Sequence, residues 1–243
     1  MTAVFRIEAR GAMLVAGMLL AACGSNPPTP DWQLVARSSL DRATAAWFDG
    51  DARAEAAAFD EARQAIARTG QPGLLARAEL VRCAAHVAAL VVEECAGFSA
   101  LAADAGAEER AYAAYLAGRA GAADVPLLPE PQRALAAAAA AAAAGADAAA
   151  LARIADPLSR LVAAGVLMQT GRASPAVVGV AVDTASAQGW RRPLRSWLQV
   201  QLRQAEAAAD TDGAERVRRR IALVERSAVR PGDPAASSAS ARP

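Results

Sequence analysis

The chain has 243 residues, enough for one or two ordinary domains. Hydrophobic residues make up 54% and aromatics only 4%, because roughly 70 residues are alanine. Charged residues are 21% and the formal net charge is +1, which excludes a strongly basic nucleic-acid binder and a highly charged disordered chain. There is no lysine, so all 26 basic residues are arginines and Schiff-base or Walker-lysine mechanisms are excluded. A single histidine excludes multi-histidine metal sites.

Residues 1–22 have a secretory layout. Arg6 and Arg10 sit in a short polar start, Gly11 to Leu20 form a short apolar core, and Leu20, Ala21, Ala22 and Cys23 close it. The core is too short for a comfortable membrane span. The closing L-A-A-C resembles the lipobox of bacterial lipoproteins. That resemblance implies cleavage before Cys23, a diacylglyceryl group on its sulfur, and attachment to a membrane on its periplasmic side. Two or more acyl chains give stable anchoring without a spanning helix. Gly24 stands where lipoproteins kept at the inner membrane often carry Asp, so the resemblance favours the outer membrane. Residues 23–30 then read as the lipidated cysteine and a Pro-rich tether.

Residues 31–227 read as an α-helical domain. Period-two runs of β-formers are missing. Gly50, Gly70, Gly121, Gly145, Gly171 and Gly189 fall where helices should stop, and Pro72, Pro131, Pro157, Pro175 and Pro193 where they should start. Asp51, Asp156 and Ser174 are good N-caps. The punctuation predicts helices near 31–49, 51–69, 72–91, 98–104, 107–120, 131–144, 147–155, 157–170, 175–188, 193–210 and 212–227. Short links favour antiparallel neighbours, so the fold class is all-α, built of stacked helical hairpins. Core anchors on this reading include Trp47, Phe59, Ile66, Leu80, Tyr115, Leu151, Leu161, Leu167, Trp197, Leu198, Ile221 and Leu223. The alanine run 136–144 reads as part of a closely packed helix. Residues 228–243 read as a disordered tail.

One hairpin is more specific. Gly50, Phe59 and Ala62 stand in G-D-A-R-A-E-A-A-A-F-D-E-A, which resembles the turn and second helix of a tetratricopeptide repeat. That pattern wants a small residue five after the glycine, where this chain has Glu55. Gly171 and Ala176 repeat the spacing, but Asp183 breaks the later position. The resemblance implies tetratricopeptide-like helix packing; an irregular α-bundle is the alternative.

The candidate chemistry is sparse. Cys83 and Cys95 are close enough in sequence for a disulfide to close over a helix end. An oxidising compartment would favour it, and two buried free thiols are the alternative. His86, three residues after Cys83, is a lone histidine and predicts no metal site. Glycosidases need two carboxylates across a cleft, about 5–9 Å apart. The adjacent pairs Asp60/Glu61, Glu93/Glu94 and Glu108/Glu109 do not supply that by spacing. No nucleophile elbow and no phosphate loop is present. From Trp190 onward there are 11 arginines against 6 acids. Arg191, Arg192, Arg195, Arg216, Arg218, Arg219 and Arg220 form a candidate basic interaction face, or a solvated helical surface with pairs such as Glu215–Arg219.

These readings predict a lipid-anchored periplasmic protein without catalytic residues, cofactor, metal or nucleic acid. It would act as a binding or scaffold module for another envelope protein. The alternatives are a peptidoglycan-acting enzyme, which would need a cleft holding Glu55, Glu93, Glu94, Glu108 or Glu109, and a structural spacer with no tight partner.

Overall fold

The computed structural model describes residues 28–141 and 148–227. The chain divides into two compact units, Met1–Asp31 and Trp32–Pro243. Of the first, only residues 28–31 are described. The expected lipobox residues Leu20, Ala21, Ala22 and Cys23, the signal peptide, most of the tether and the tail 228–243 lie outside the described residues.

Among the described residues the fold is all-α, with no strand. The helices in chain order are α1 (Asp31–Asp49), α2 (Ala52–Ala67), α3 (Pro72–Ala88), α4 (Ala96–Ser99), α5 (Ala107–Leu116), α6 (Glu130–Ala140), α7 (Ala148–Ala152), α8 (Pro157–Gln169), α9 (Pro175–Ala187), α10 (Arg191–Ala207) and α11 (Thr211–Arg226). Two 3₁₀ turns, Ala102–Asp104 and Val125–Leu127, lie between them. Asp51, Asp156 and Ser174 accept the N–H of Ala54, Ser159 and Val177, so all three act as N-caps. Asp210 caps α11 in the same way, through Gly213 N–H.

Several boundaries differ from the sequence expectation. The element expected at 98–104 splits into α4 and a 3₁₀ turn. The helix expected at 107–120 stops at Leu116, because Gly118 turns the chain at φ +69. The helix expected to reach 91 ends at Ala88. Leu90 takes the left-handed conformation (φ +59), and Val91 N–H returns to the His86 carbonyl. That is the cap glycine usually supplies. Here a half-buried leucine holds it by packing on the core, so no glycine marks the end. α10 starts at Arg191, two residues before the expected Pro193.

The closest helix pairs are α10 with α11, α9 with α10, α3 with α8, and α8 with α9. α8 is the central helix: Leu161 to Leu167 are all buried. Gly165 lets α3 approach it, since a Cβ there would lie 2.4 Å from the Val87 carbonyl oxygen. Trp197 of α10 is fully buried and donates its Nε1–H to the Ala88 carbonyl at 3.0 Å, which ties α10 to the end of α3. Gln132 is buried and bridges the Tyr115 hydroxyl (2.8 Å) and the Ser159 carbonyl (3.0 Å). α2 lies antiparallel to α3, joined by the ion pairs Glu55–Arg82 and Arg63–Glu79. 

Alanine contributes directly to the core rather than only spacing it. Ala62, Ala76, Ala88, Ala163, Ala164, Ala181 and Ala185 are fully buried. Leu223 does not join the core: it is 63% exposed, because α11 packs through Gly213, Ala214 and Val217 on its other face. In the alanine run, burial ends at Ala136; Ala137, Ala140 and Ala141 face solvent. Residues 142–147 lie outside the described residues.

Candidate functional site

A cleft of about 660 Å³ opens beside the end of α3. α3 supplies Cys83, His86 and Val87 to its wall. The chain after Leu90 doubles back and supplies Val91, Val92, Glu93 and Glu94. Cys95 then joins Cys83 in a disulfide, with the Cα atoms 5.9 Å apart, inside the range the bond requires. This cross-link pins the 89–95 segment along α3 and so fixes one side of the cleft. α4 contributes Phe98 and Ser99, α5 contributes Arg110, Ala113 and Ala114, and Arg119 and Gln169 complete the lining.

The cleft has an apolar floor and a charged rim of both signs. Glu93 and Glu94 stand on the disulfide-tied segment, and Ser99 donates to Glu94 at 3.3 Å. Arg110 and Arg119 come from α5 and the turn beyond it. Arg110 also donates to the Ala105 carbonyl. His86 Nε2 and Gln169 Nε2 are buried at the wall without a hydrogen-bond partner. Among the described lining residues Glu93 and Glu94 are the only carboxylates, and both lie on one segment. The other charged groups of the lining are the guanidinium groups of Arg110 and Arg119, not the second, separately placed carboxylate that glycoside hydrolysis uses.

The other carboxylates named for the enzyme reading are placed elsewhere. Glu55 is buried at the α2–α3 contact and held by Arg82 at 2.6 and 3.1 Å. The Arg82 guanidinium also lies 4.8 Å over the Phe59 ring. Glu55 thus occupies the position where the tetratricopeptide pattern wants a small residue, and an ion pair satisfies its charge. Glu109 lines a separate cleft of about 350 Å³ and is hydrogen-bonded by Arg77 at 2.5 and 3.0 Å. That bond, ahead of an opposing burial effect, holds its carboxyl below the usual range. A general acid needs the reverse shift. Glu108 lines the same cleft and is exposed.

Behind the 660 Å³ cleft lies a stacked group that sequence spacing did not reveal. His86 stacks on Trp47 with ring centroids 3.8 Å apart, and Arg192 lies 3.7 Å over the same indole. Trp47 Nε1–H donates to the Ala85 carbonyl at 3.2 Å. Burial first, then the positive charges of Arg82 and Arg192, push the His86 imidazole down to about 4, against an opposing effect of Glu93. His86 is therefore a neutral packed ring at neutral pH. Among the described residues no group of three or more His, Cys, Asp or Glu could hold a metal ion.

The candidate basic face is largely engaged inside the chain. Arg191 donates to the Ser227 and Asp49 carbonyls, and Arg192 stacks on Trp47. Arg195 pairs with Glu225 at 3.0 Å, Arg218 with Glu206 at 2.6 Å, and Arg219 with Glu215 at 3.9 Å. Arg216 and Arg220 have no such partner among the described residues. The structure thus gathers the arginines on α10 and α11, but most of their charge is offset locally. Exposed pairs of this kind contribute about 0–1 kcal/mol each.

No protein family, curated protein or solved structure matches the chain.

Proposed function

We propose that this chain is a periplasmic lipoprotein, held by lipid on Cys23 at the outer membrane, that serves as a non-catalytic binding or scaffold module of the cell envelope. The lipobox L-A-A-C supports the anchoring, and the Cys83–Cys95 disulfide accords with an oxidising compartment. Among the described residues no helix is long and apolar enough to cross a membrane, so the anchor in this reading is the lipid. The observation that carries the binding role is the cleft. Its apolar lining and its charged groups of both signs suit recognition of a ligand or partner segment.

The test is cross-linking in living cells, followed by affinity recovery and mass spectrometry. A partner recovered with the native chain and lost with Cys23→Ser supports the anchored module. Equal recovery from both refutes the need for the anchor, and recovery of nothing above background favours the spacer reading.

The enzyme reading keeps one supporting observation, the presence of Glu93 and Glu94 in the cleft. Cell-wall hydrolysis by the purified chain, abolished in Glu93→Gln or Glu94→Gln, would establish it over the module.

A further inference from the structure

The charge that α10 and α11 leave without a local offset is gathered on one side of α11. The helix packs chiefly on α10 and buries Gly213, Ala214 and Val217, so its other side is open to solvent. From Arg216 to the helix end, that open side carries Arg216, Arg219, Leu223 and Arg226, all exposed, with the half-buried Arg220 at its edge. Glu225 is the one acid in this stretch, and it turns to α10, where it pairs with Arg195 at 3.0 Å. Arg218 also turns to α10 and pairs with Glu206 at 2.6 Å. Arg216, Arg220 and Arg226 have no ion-pair partner among the described residues, and Arg219 has only the exposed Glu215, at 3.9 Å. Asp212 stands in the first turn, where a carboxylate suits the helix N-terminus. The cationic end of the helix is held in place, since Arg191 donates to the Ser227 carbonyl at 3.2 Å.

Leu223 stands among these arginines and is 63% exposed. An exposed leucine flanked by arginines suits a helix that lies in a membrane interface. The apolar side chain enters the acyl boundary, and the long arginine stems let the guanidinium groups stay at the headgroups. The guanidinium fork also matches phosphate oxygens in pairs. Charge argues against two other occupants. A second copy meeting by the same face would set arginines against arginines. Residues 228–243 carry two arginines and one aspartate, so the tail offers no net negative charge to cover the face.

We propose that the outer face of α11 docks on an anionic phospholipid bilayer, with Arg216, Arg219, Arg220 and Arg226 at the phosphates and Leu223 in the interface. This goes beyond the scaffold reading, because it gives the helical domain a membrane contact of its own. It does not depend on the lipid at Cys23, since the arginines and the leucine would act on an anionic surface with or without an anchor.

The experiment is arginine footprinting of the full chain on vesicles, with phenylglyoxal as the reagent and mass spectrometry as the readout. One set of vesicles is phosphatidylcholine alone, and the other is phosphatidylcholine and phosphatidylglycerol in equal parts. An arginine near an anionic surface contributes about fivefold to binding, so modification of Arg216, Arg219 and Arg226 should fall by about fivefold or more on the anionic vesicles. Arg53 of α2 and Arg153 after α7, both exposed, should be modified equally on the two. Salt at about 0.5 M, where the Debye length is about 4 Å, should restore modification of the α11 arginines. Leu223→Asp should restore it at low salt; the side chain is exposed, so the fold should persist, which circular dichroism checks. The salt arm needs no variant. Equal modification of the α11 arginines on both vesicles, or a fall shared by Arg53 and Arg153, overturns the proposal. Protection that survives Leu223→Asp in the folded chain overturns the interfacial contact. Protection by soluble polyglutamate without protection by anionic vesicles assigns the face to an acidic protein and overturns the bilayer as its partner. A failed anchor reads differently, as a chain that does not float with the phosphatidylcholine vesicles.

Discussion

Gly165 sits at the contact of α3 and α8, and its replacement by alanine isolates one term of the packing. A Cβ at this position would lie 2.4 Å from the Val87 carbonyl oxygen, 2.8 Å from Val87 Cγ1 and 3.1 Å from the Val87 carbonyl carbon. The nearest atom is backbone, so no rotamer change removes the clash; the two helices must separate. Overpacking of a close-packed core costs about 1–3 kcal/mol, and a rigid backbone neighbour places this case near the upper end. Alanine regains about 1 kcal/mol of helix propensity over glycine. The net loss should be about 2 kcal/mol, or a fall in Tm of about 4–8 °C for a domain of this size. Gly179 of α9 is the matched control, because a Cβ there meets nothing within 4 Å. Gly179→Ala should therefore stabilise by about 0.5–1 kcal/mol. Urea unfolding followed by circular dichroism measures both. If Gly165→Ala unfolds at the same or higher urea than the native chain, the close approach of α3 and α8 is wrong.

Other outcomes follow from the same structure. Replacing Cys83 and Cys95 together by serine should cost about 2–3 kcal/mol in the chain-entropy model, and thiol alkylation of the unreduced, denatured native chain should label neither cysteine. Labelling of both would refute the cross-link. Arg82→Ala should destabilise by about 3 kcal/mol at pH 7, since it leaves the buried Glu55 carboxylate without its partner. Glu55→Ala should cost less than about 1 kcal/mol, because the Arg82 head can turn to water; equal losses in the two variants would contradict the buried-carboxylate account. His86 gives a pH effect of defined sign. Its folded value near 4 lies below the ordinary 6.5, so between these the unfolded chain binds the extra proton and stability falls as pH falls. The uncorrected shift corresponds to about 3 kcal/mol, reduced to about 1–2 kcal/mol by partial exposure. His86→Phe should flatten that dependence in unfolding curves taken from pH 7 to pH 4, and an unchanged slope would exclude His86 as its source.

Much of the helical plan was legible in the residues. Proline at a first turn, an aspartate or serine before it and a glycine after the last turn are local devices. Their backbone preferences hold wherever the chain later packs, so Pro157 and Pro175 marked helix starts to the residue. One misplaced boundary is set by distant contacts. Leu90 ends α3 without a glycine because the core holds its side chain. Leu223 was expected inside because leucine is apolar, yet α11 turns its small residues Gly213 and Ala214 inward and leaves that leucine in water.

The cleft was legible only in fragments. Cys83 and Cys95 were candidates from their spacing, and Glu93 and Glu94 were noticed as a pair. Nothing in their order indicated that Arg110, Arg119 and Gln169 would line the same cleft. Glu55 carried a partial signal, as the residue that breaks the repeat pattern. Its partner Arg82 was hidden, because an ion pair between helices leaves no fixed spacing in sequence.

The sequence by itself determined the helical class and most helix starts, since each depends on backbone preference or side-chain periodicity. The tertiary structure alone decided which alanines form the core, how closely α3 meets α8 at Gly165, and which charges line the cleft. Those depend on distances between segments far apart in the chain. An alanine-rich sequence encodes them weakly, because its small side chains fit many helix pairings. The few groups that break the uniformity, such as Gly165, Trp197 and the Glu55–Arg82 pair, select among them.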